Sequence, residues 1–249
     1  MKKIIIIPSR YGSKRLGGKP LMKLAGKPLI QHVYERCLKC KNIDDIYVAT
    51  DDERIKECCN SFNGKAFITG KNHKSGTDRV FEASEILGLD NDDIIINVQG
   101  DQPLLHPESV DAVTQPFFGS KNPVMTTLAY KFLNLDEVNN PKDVKVVFSK
   151  KLKALYFSRS KIPFPRDNEH TDFFKHLGIY AYKKFFLDIF TSLPKSNLED
   201  IEKLEQLRAL EYGYDIEIVI SEFDSPAVDL KADIEQIEDL LKTSVFDKL

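Results

Sequence analysis

Over roughly its first 130 residues this chain alternates between two kinds of apolar pattern, and after about residue 140 the alternation stops. Short continuous runs, Ile4-Ile5-Ile6-Ile7, Asp45 to Thr50 (DIYVAT) and Asp93 to Val98 (DIIINV), read as strands buried on both faces of a parallel sheet. Between them, apolar residues recur at helical spacing. Leu29, Val33, Cys37 and Cys40 mark one helix, a second runs to about Phe62 behind a cap at Asp51 or Asp52, and a third follows Ser75-Gly76-Thr77-Asp78 to about Leu87. A short strand is expected near Ala66-Phe67-Ile68, a helix over 107–117 and a strand over 124–132. This order predicts an α/β fold with a mostly parallel sheet and helices on both faces.

Beyond Asn140 the pattern changes. Residues 144–148 and 152–157 read as a hairpin around the charged turn Ser149-Lys150-Lys151, followed by a basic, proline-stiffened loop over 158–166 that carries Arg159. The segment 176–182 alternates like a strand and places His176, Gly178, Tyr180 and Tyr182 on one face. An isolated histidine is usually structural, but here His and Tyr share a face beside a basic loop, which favours a polar pocket wall. Leu198 to Tyr212 reads as one continuous helix stopped by Gly213, with Glu205 and Gln206 inside it and solvent-facing by default. A strand over 216–220, a turn at Asp224-Ser225-Pro226 and a C-terminal helix complete the chain. No repeat, low-complexity tract or flexible linker is present, so one domain over 1–249 is expected. In it, 1–120 and 226–249 form one lobe, to which a smaller α+β lobe over 121–225 returns.

Chemistry is expected in the first loop, Pro8 to Leu21 (PSRYGSKRLGGKPL), because open α/β sheets bind ligands at the carboxyl ends of their strands. Arg10, Lys14, Arg15 and Lys19 supply four positive charges, and Gly12, Gly17 and Gly18 let the backbone approach an anion. Either a triphosphate cradle or a solvated basic turn fits. The loop is neither the dinucleotide fingerprint nor the Walker loop: Lys19 is followed by Pro20, with no hydroxyl for magnesium, so any metal ligands must come from elsewhere. Asp101, at the tip of the DIIINV strand in Gln99-Gly100-Asp101-Gln102-Pro103, is suited to hold a hard cation, or else caps the helix that begins near Pro107.

Composition narrows the partners. The 36 basic and 38 acidic residues nearly cancel and are interspersed, which argues against nucleic acid and anionic membranes as partners and for a small molecule. No apolar run reaches membrane-spanning length, and the apolar stretch after Met1-Lys2-Lys3 is too short for a signal peptide, so a cytoplasmic protein is expected. The four cysteines, Cys37, Cys40, Cys58 and Cys59, lack the second C-x-x-C of a zinc ribbon and read as reduced thiols packed on helices.

Taken in order, PSRYGSKRLGGKPL, KSGTDR, NVQGDQP, NNPKDVKVV, ALYFSRSKIPFPRD, HLGIYAY, LEDIEKLEQLRALEYG and AVDLKADIE resemble the 3-deoxy-manno-octulosonate cytidylyltransferases, or CMP-Kdo synthetases, from Lys2 to about Leu240. HLGIY and LEQLR are the specific segments, since many nucleotidyltransferases share the first loop and the D-x-P turn. The resemblance implies a Rossmann-like nucleotide-diphospho-sugar transferase fold whose second lobe binds the sugar and forms a homodimer. It also implies magnesium, CTP, and an acidic eight-carbon sugar (Kdo) destined for lipopolysaccharide.

Carried over by residue, the resemblance implies that Arg10, Arg15 and Lys19 hold the CTP phosphates, with Arg15 and Lys19 stabilising the departing pyrophosphate. Backbone near Pro8 and Ser9, with Ser75 and Thr77, would read the cytosine end, and Asp101 and Asp229 would bind magnesium. Gln99, on the nucleotide side as well, would seat the sugar together with Arg159, His176, Tyr180, Glu205 and Gln206. Arg159 is the natural partner of the sugar carboxylate, because a guanidinium pairs with a carboxylate as a fork. The chain departs from the usual wording at Ser9 (commonly alanine), Gly17 (commonly proline), Gln102 (a glutamate) and Leu230-Lys231-Ala232 (Thr-Pro-Glu). The last change removes a proline that would stiffen the turn after Asp229. Rival readings are activation of a related acidic sugar, sialic acid or an amino-substituted octulosonate, and a silent nucleotide-binding module.

Overall fold

Neighbouring residues of a strand face opposite ways, and the four isoleucines accordingly divide between two cores. They lie in β1 (Lys3–Ser9), where Ile5 and Ile7 join one apolar cluster and Ile4 and Ile6 join another across the sheet. Each side chain that is fully buried there, as Ile5, Ile6 and Ile7 are, contributes about 2 kcal/mol. The computed structural model describes residues 1–12, 16–120, 122–167 and 171–242. After β1 come the small hairpin β2 (Lys23–Leu24) and β3 (Lys27–Pro28), then α1 (Leu29–Cys37), β4 (Asp45–Thr50), α2 (Glu53–Ser61), β5 (Ala66–Ile68), α3 (Gly76–Ile86) and β6 (Ile94–Asn97). Next are α4 (Pro107–Thr114), β7 (Met125–Lys131), β8 (Lys145–Phe148), β9 (Ala154–Ser158) and β10 (Phe174–Lys183). The chain closes with α5 (Lys184–Ser192), α6 (Asn197–Glu202), α7 (Leu207–Glu211), β11 (Glu217–Ser221) and α8 (Lys231–Lys242).

Nine strands form one mixed sheet in the order β11-β7-β10-β6-β1-β4-β5, with β8 beside β10 and β9 beside β8. The pairs β6–β1, β1–β4, β4–β5 and β7–β11 are parallel, and β10 runs antiparallel to both neighbours, β6 and β7. Residues of α1, α2 and α4 pack with Ile5 and Ile7, and residues of α3, α5 and α7 with Ile4 and Ile6. The sheet is thus covered on both faces, as the alternation of patterns predicts.

The direction of β10 decides where the site lies. Tyr180 is paired with Asn97, the last residue of β6, so residues 174–179 run past the carboxyl end of β6. They stay in the sheet by pairing with β7, Phe174 opposite Lys131 and Leu177 opposite Leu128. A bulge between Leu177 and Tyr180 leaves Gly178 and Ile179 without a register partner on either neighbour. The strand's alternation survives it: Leu177, Ile179 and Ala181 belong to one core, and Tyr180 and Tyr182 to the other.

Three local features differ from the sequence reading or refine it. The 23–28 hairpin was not expected; its two-residue loop places Ala25 at φ 46° and Gly26 at φ 83°, the left-handed pair that suits a tight hairpin. Asp101 does not cap α4, whose N-cap is His106. The expected continuous helix over 198–212 is broken: α6 ends at Glu202, its C-cap Lys203 turns left-handed at φ 55°, and α7 starts only at Leu207. Glu205 and Gln206 therefore lie in the break, not inside a helix.

Glu199 and Arg208 account for the break. The guanidinium donates to both carboxylate oxygens, Nε to Oε2 at 2.8 Å and Nη2 to Oε1 at 2.6 Å, and both residues are buried. Along an unbroken helix nine residues would separate them by about 13 Å of rise, so the pair closes only if α7 folds back on α6. Cys37 and Cys59 are buried in the core, and burial pushes the Cys59 thiol up to about 12, as expected of unreactive packed thiols. Removing one partner of a buried ion pair leaves the other uncompensated, so Glu199→Ala is expected to lower the unfolding free energy by about 3 kcal/mol in urea titration. An unchanged midpoint would mean that apolar packing alone holds the break.

Candidate active site

Two cavities open side by side at the carboxyl edge of the sheet. The smaller, about 260 Å³, is lined by Pro8, Ser9, Arg10, Lys19 and Ser75, and the larger, about 770 Å³, by Thr77, Arg159, His176, Tyr180, Glu205, Gln206 and Asp229. Gly76, Gln99 and Asp101 line both. The structure thus brings the expected site residues into one composite cleft, except Arg15, which, like Lys14, lies outside the described residues. Thr77 faces the larger cavity, not the smaller one that Ser75 lines.

In the smaller cavity the first loop turns back on itself through Gly18, at φ 68°, whose N–H donates to the Tyr11 carbonyl at 3.0 Å. The Tyr11 N–H donates in turn to Asp51 Oδ1 at 3.3 Å, and Asp51 is paired with the buried Arg79 at 2.9 Å, which straps the loop to the end of β4. At Gly100 a β-carbon would stand 3.3 Å from the Pro8 carbonyl oxygen, so glycine lets the two strand ends meet. The Ser75 hydroxyl accepts the Asp78 N–H at 3.1 Å while Asp78 accepts the Ser75 N–H at 3.0 Å, a capping box. Ser75 is thus engaged in its helix, and the cavity meets the partially positive N-terminus of α3. Ser9 is buried, its hydroxyl without a partner among the described residues, where the family commonly has alanine.

At the junction the Lys19 ammonium donates to Asp101 Oδ2 at 2.7 Å and stands 3.5 Å from Asp229 Oδ1. These carboxylates are far apart in sequence but tied through the backbone, since the Val228 N–H donates to the Asp101 carbonyl at 2.9 Å. The turn after Asp229, deprived of its proline, is held instead by Asp233, whose Oδ2 accepts the N–H groups of Asp229 at 2.7 Å and Leu230 at 2.6 Å. Leu16, Leu24, Leu29, Leu104, Val228 and Ile237 form a separate apolar cluster that packs α8 against the first loop. Two hard carboxylate oxygens converging on one cation, beside space for phosphate and water oxygens, are a donor set that fits magnesium.

In the larger cavity Arg159 donates from Nε to the Glu202 carbonyl at 2.9 Å and from Nη1 to the Pro141 carbonyl at 3.0 Å. Beneath it Lys145, fully buried, gives its ammonium to the carbonyls of Asn140 at 3.0 Å, Asp143 at 2.7 Å and Arg159 at 2.6 Å. Burial lowers the Lys145 pKa. Lys175 bridges Asp143 at 3.0 Å and Asp224 at 3.1 Å. Glu205 accepts the Thr77 hydroxyl at 2.5 Å and stands 3.6 Å from Arg208; burial raises its pKa above the usual carboxylate value. His176 is buried between Thr127 and Gln206, with its pKa pushed down to about 3 by desolvation, so the ring is neutral at physiological pH.

The sequence reading did not single out Arg79, Thr127, Lys145, Lys175 or Asp233. For Lys145 a signal existed, a lysine inside the strand-like run Val144 to Phe148. Arg79, Thr127 and Lys175 owe their partners to distant elements, whereas Asp233 closes its own turn and looks like any acidic residue near a helix start.

Known proteins resemble the chain over nearly its whole length. The cytidylyltransferase family model matches residues 4–218. The chain is 55% identical to a 3-deoxy-manno-octulosonate cytidylyltransferase of Desulfatibacillum aliphaticivorans, over 97% of this chain and 99% of that protein. It is 52% identical to an 8-amino-3,8-dideoxy-manno-octulosonate cytidylyltransferase of Shewanella frigidimarina, over 96% of this chain and 98% of that protein. The solved structure of a CMP:2-keto-3-deoxy-manno-octonic acid synthetase complexed with CTP superposes with a TM-score of 0.92 at 41% identity, covering 98% of this chain and all of that one. From its sequence, its sheet and its composite cleft together, the chain belongs to the cytidylyltransferase family, alongside the enzymes named for 3-deoxy-manno-octulosonate and its 8-amino form.

Proposed function

We propose that this protein is a 3-deoxy-manno-octulosonate cytidylyltransferase, which joins Kdo to CMP from CTP, releases pyrophosphate and so supplies an activated sugar for lipopolysaccharide. The observation that carries the reading is Lys19, with Asp101 and Asp229, at the seam between two cavities, one basic and suited to phosphate, the other polar and roomier. CTP occupies the smaller cavity, with Arg10, Arg15 and Lys19 toward its phosphates and the Pro8-Ser9 backbone and Ser75 toward the base. The sugar occupies the larger one, with Arg159 on its carboxylate and Gln99, His176, Tyr180, Glu205 and Gln206 around its hydroxyls, while Thr77 steadies Glu205.

In the reaction the anomeric hydroxyl of the sugar attacks the α-phosphorus of CTP, the new C–O–P bond forms, the bond to the β-phosphate oxygen breaks, and the hydroxyl proton is lost to solvent. Such chemistry depends on in-line positioning and charge neutralisation more than on a covalent intermediate. Asp101 and Asp229 would hold magnesium, which supplies positive charge to the α-phosphate and the attacking oxygen. Lys19, released from the carboxylates, follows the developing charge on pyrophosphate together with Arg15. The shared wall, Gly76, Gln99 and Asp101, is where the two reacting groups meet.

We further infer a cytoplasmic homodimer, since CTP is a cytoplasmic nucleotide and the 121–225 segment exposes large apolar side chains. Leu133, Leu155, Phe164 and Ile201 are between 63% and 84% exposed. Among the described residues no helix is long and apolar enough to cross a membrane.

Pyrophosphate release, measured with each of the four nucleoside triphosphates against Kdo, 8-amino-Kdo and sialic acid, is expected to be greatest with CTP and Kdo; another triphosphate or acid as best substrate overturns the reading. Asp101→Asn is expected to fold normally, to bind Mn²⁺ more weakly in calorimetry with CTP present, and to lose about a thousandfold in kcat. Near-normal turnover in that variant would sink the metal assignment. Arg159→Ala is expected to raise the KM for the sugar about 30-fold, equivalent to about 2 kcal/mol, with the KM for CTP little changed. An equal loss for both substrates would move Arg159 to the nucleotide.

A further inference from the structure

Thr127, on β7, is fully buried, and its hydroxyl touches two groups: the Ile179 carbonyl at 2.8 Å and His176 Nε2 at 2.9 Å. A hydroxyl has one proton to give, and a carbonyl can only accept. Ile179 lies in the β10 bulge, where it has no register partner on β7 or β6. The Thr127 proton therefore goes to Ile179, and Thr127 Oγ1 must accept a proton from His176 Nε2. With its ring neutral, His176 is thus the Nε2–H tautomer, and its Nδ1 carries a lone pair.

That lone pair faces Gln206, whose side-chain nitrogen lies 3.5 Å away. With the amide reversed, its oxygen would oppose the Nδ1 lone pair, so the NH₂ group is held against His176 and the carbonyl oxygen turns away, on the side of the larger cavity that Gln206 lines. We propose that Thr127 is a positioning residue: through His176 it fixes the orientation of the Gln206 amide, so that Gln206 meets the sugar as a hydrogen-bond acceptor and selects a hydroxyl or ammonium hydrogen at that position. The inference rests on the sugar occupying the larger cavity.

The test begins with ¹⁵N-labelled histidine in the intact protein, whose five histidines allow His176 to be assigned by comparison with His176→Gln. Wild type is expected to show a protonated Nε2 and a bare Nδ1, unchanged down to pH 5. Thr127→Val keeps the shape but removes the hydroxyl, and is expected to lose the single tautomer and to raise the sugar KM about tenfold, with the KM for CTP within twofold. Thr127→Ser, which restores the hydroxyl, is expected to behave as wild type in both measurements. A protonated Nδ1 in wild type, or an unchanged tautomer in Thr127→Val, overturns the proposal whatever the kinetics. A changed tautomer with an unmoved sugar KM instead overturns the aiming of Gln206 at the sugar, while the placing of the sugar in this cavity stands or falls with Arg159→Ala.

Discussion

The structure turns on one electrostatic constraint: two carboxylates, Asp101 and Asp229, must stand close together at the edge of a sheet. Two carboxylates within reach of one shared ammonium repel each other, and a folded chain does not bring them together without something between them. Here that is the Lys19 ammonium, only 13% exposed. The first loop is therefore more than a phosphate-binding turn, since it delivers the counter-ion that lets the two carboxylates be assembled ahead of any ligand. Much of the surrounding architecture serves this placement. The Val228-to-Asp101 backbone bond ties the two carboxylate-bearing segments together, Asp233 holds the turn after Asp229, and the apolar cluster of Leu16, Leu24, Val228 and Ile237 packs α8 against the loop.

How much of this the sequence disclosed depended on the range of the interaction. Where a pattern is local, the reading succeeded: buried strands at Ile4 to Ile7 and Ile94 to Asn97, a helix cap at Asp52, one of the two aspartates expected there, and the shared face of His176, Tyr180 and Tyr182. It failed at Lys203, where helical periodicity on both sides concealed a break. The break comes from the Glu199–Arg208 pair, and a window of local propensity cannot see that two charges nine residues apart will find each other.

For the site the same rule holds. Residue type and position marked Lys19 and Asp101 as chemistry-bearing, but not that they touch, and family likeness was needed to bring Asp229, Glu205 and Gln206 into view. Residues that act through others left the weakest trace. A threonine in a strand looks like any β-former, and Thr127 becomes distinctive only once the bulge in β10 is known. Asp233 likewise reads as an ordinary acidic residue at a helix start, yet it takes over the duty of the missing proline.

The antiparallel course of β10 has a last consequence. In a fully parallel sheet the edge that meets ligands is furnished by loops, which adapt on contact. Here part of that edge is the body of a strand, laddered to β7 beyond the end of β6. His176 and Tyr180 are therefore held by strand pairing and not by a loop, and this wall of the cleft is a template already cut to shape. Discrimination on this side is by fit to a rigid mould, and most of the ordering entropy of forming that wall has been spent in folding before any substrate arrives.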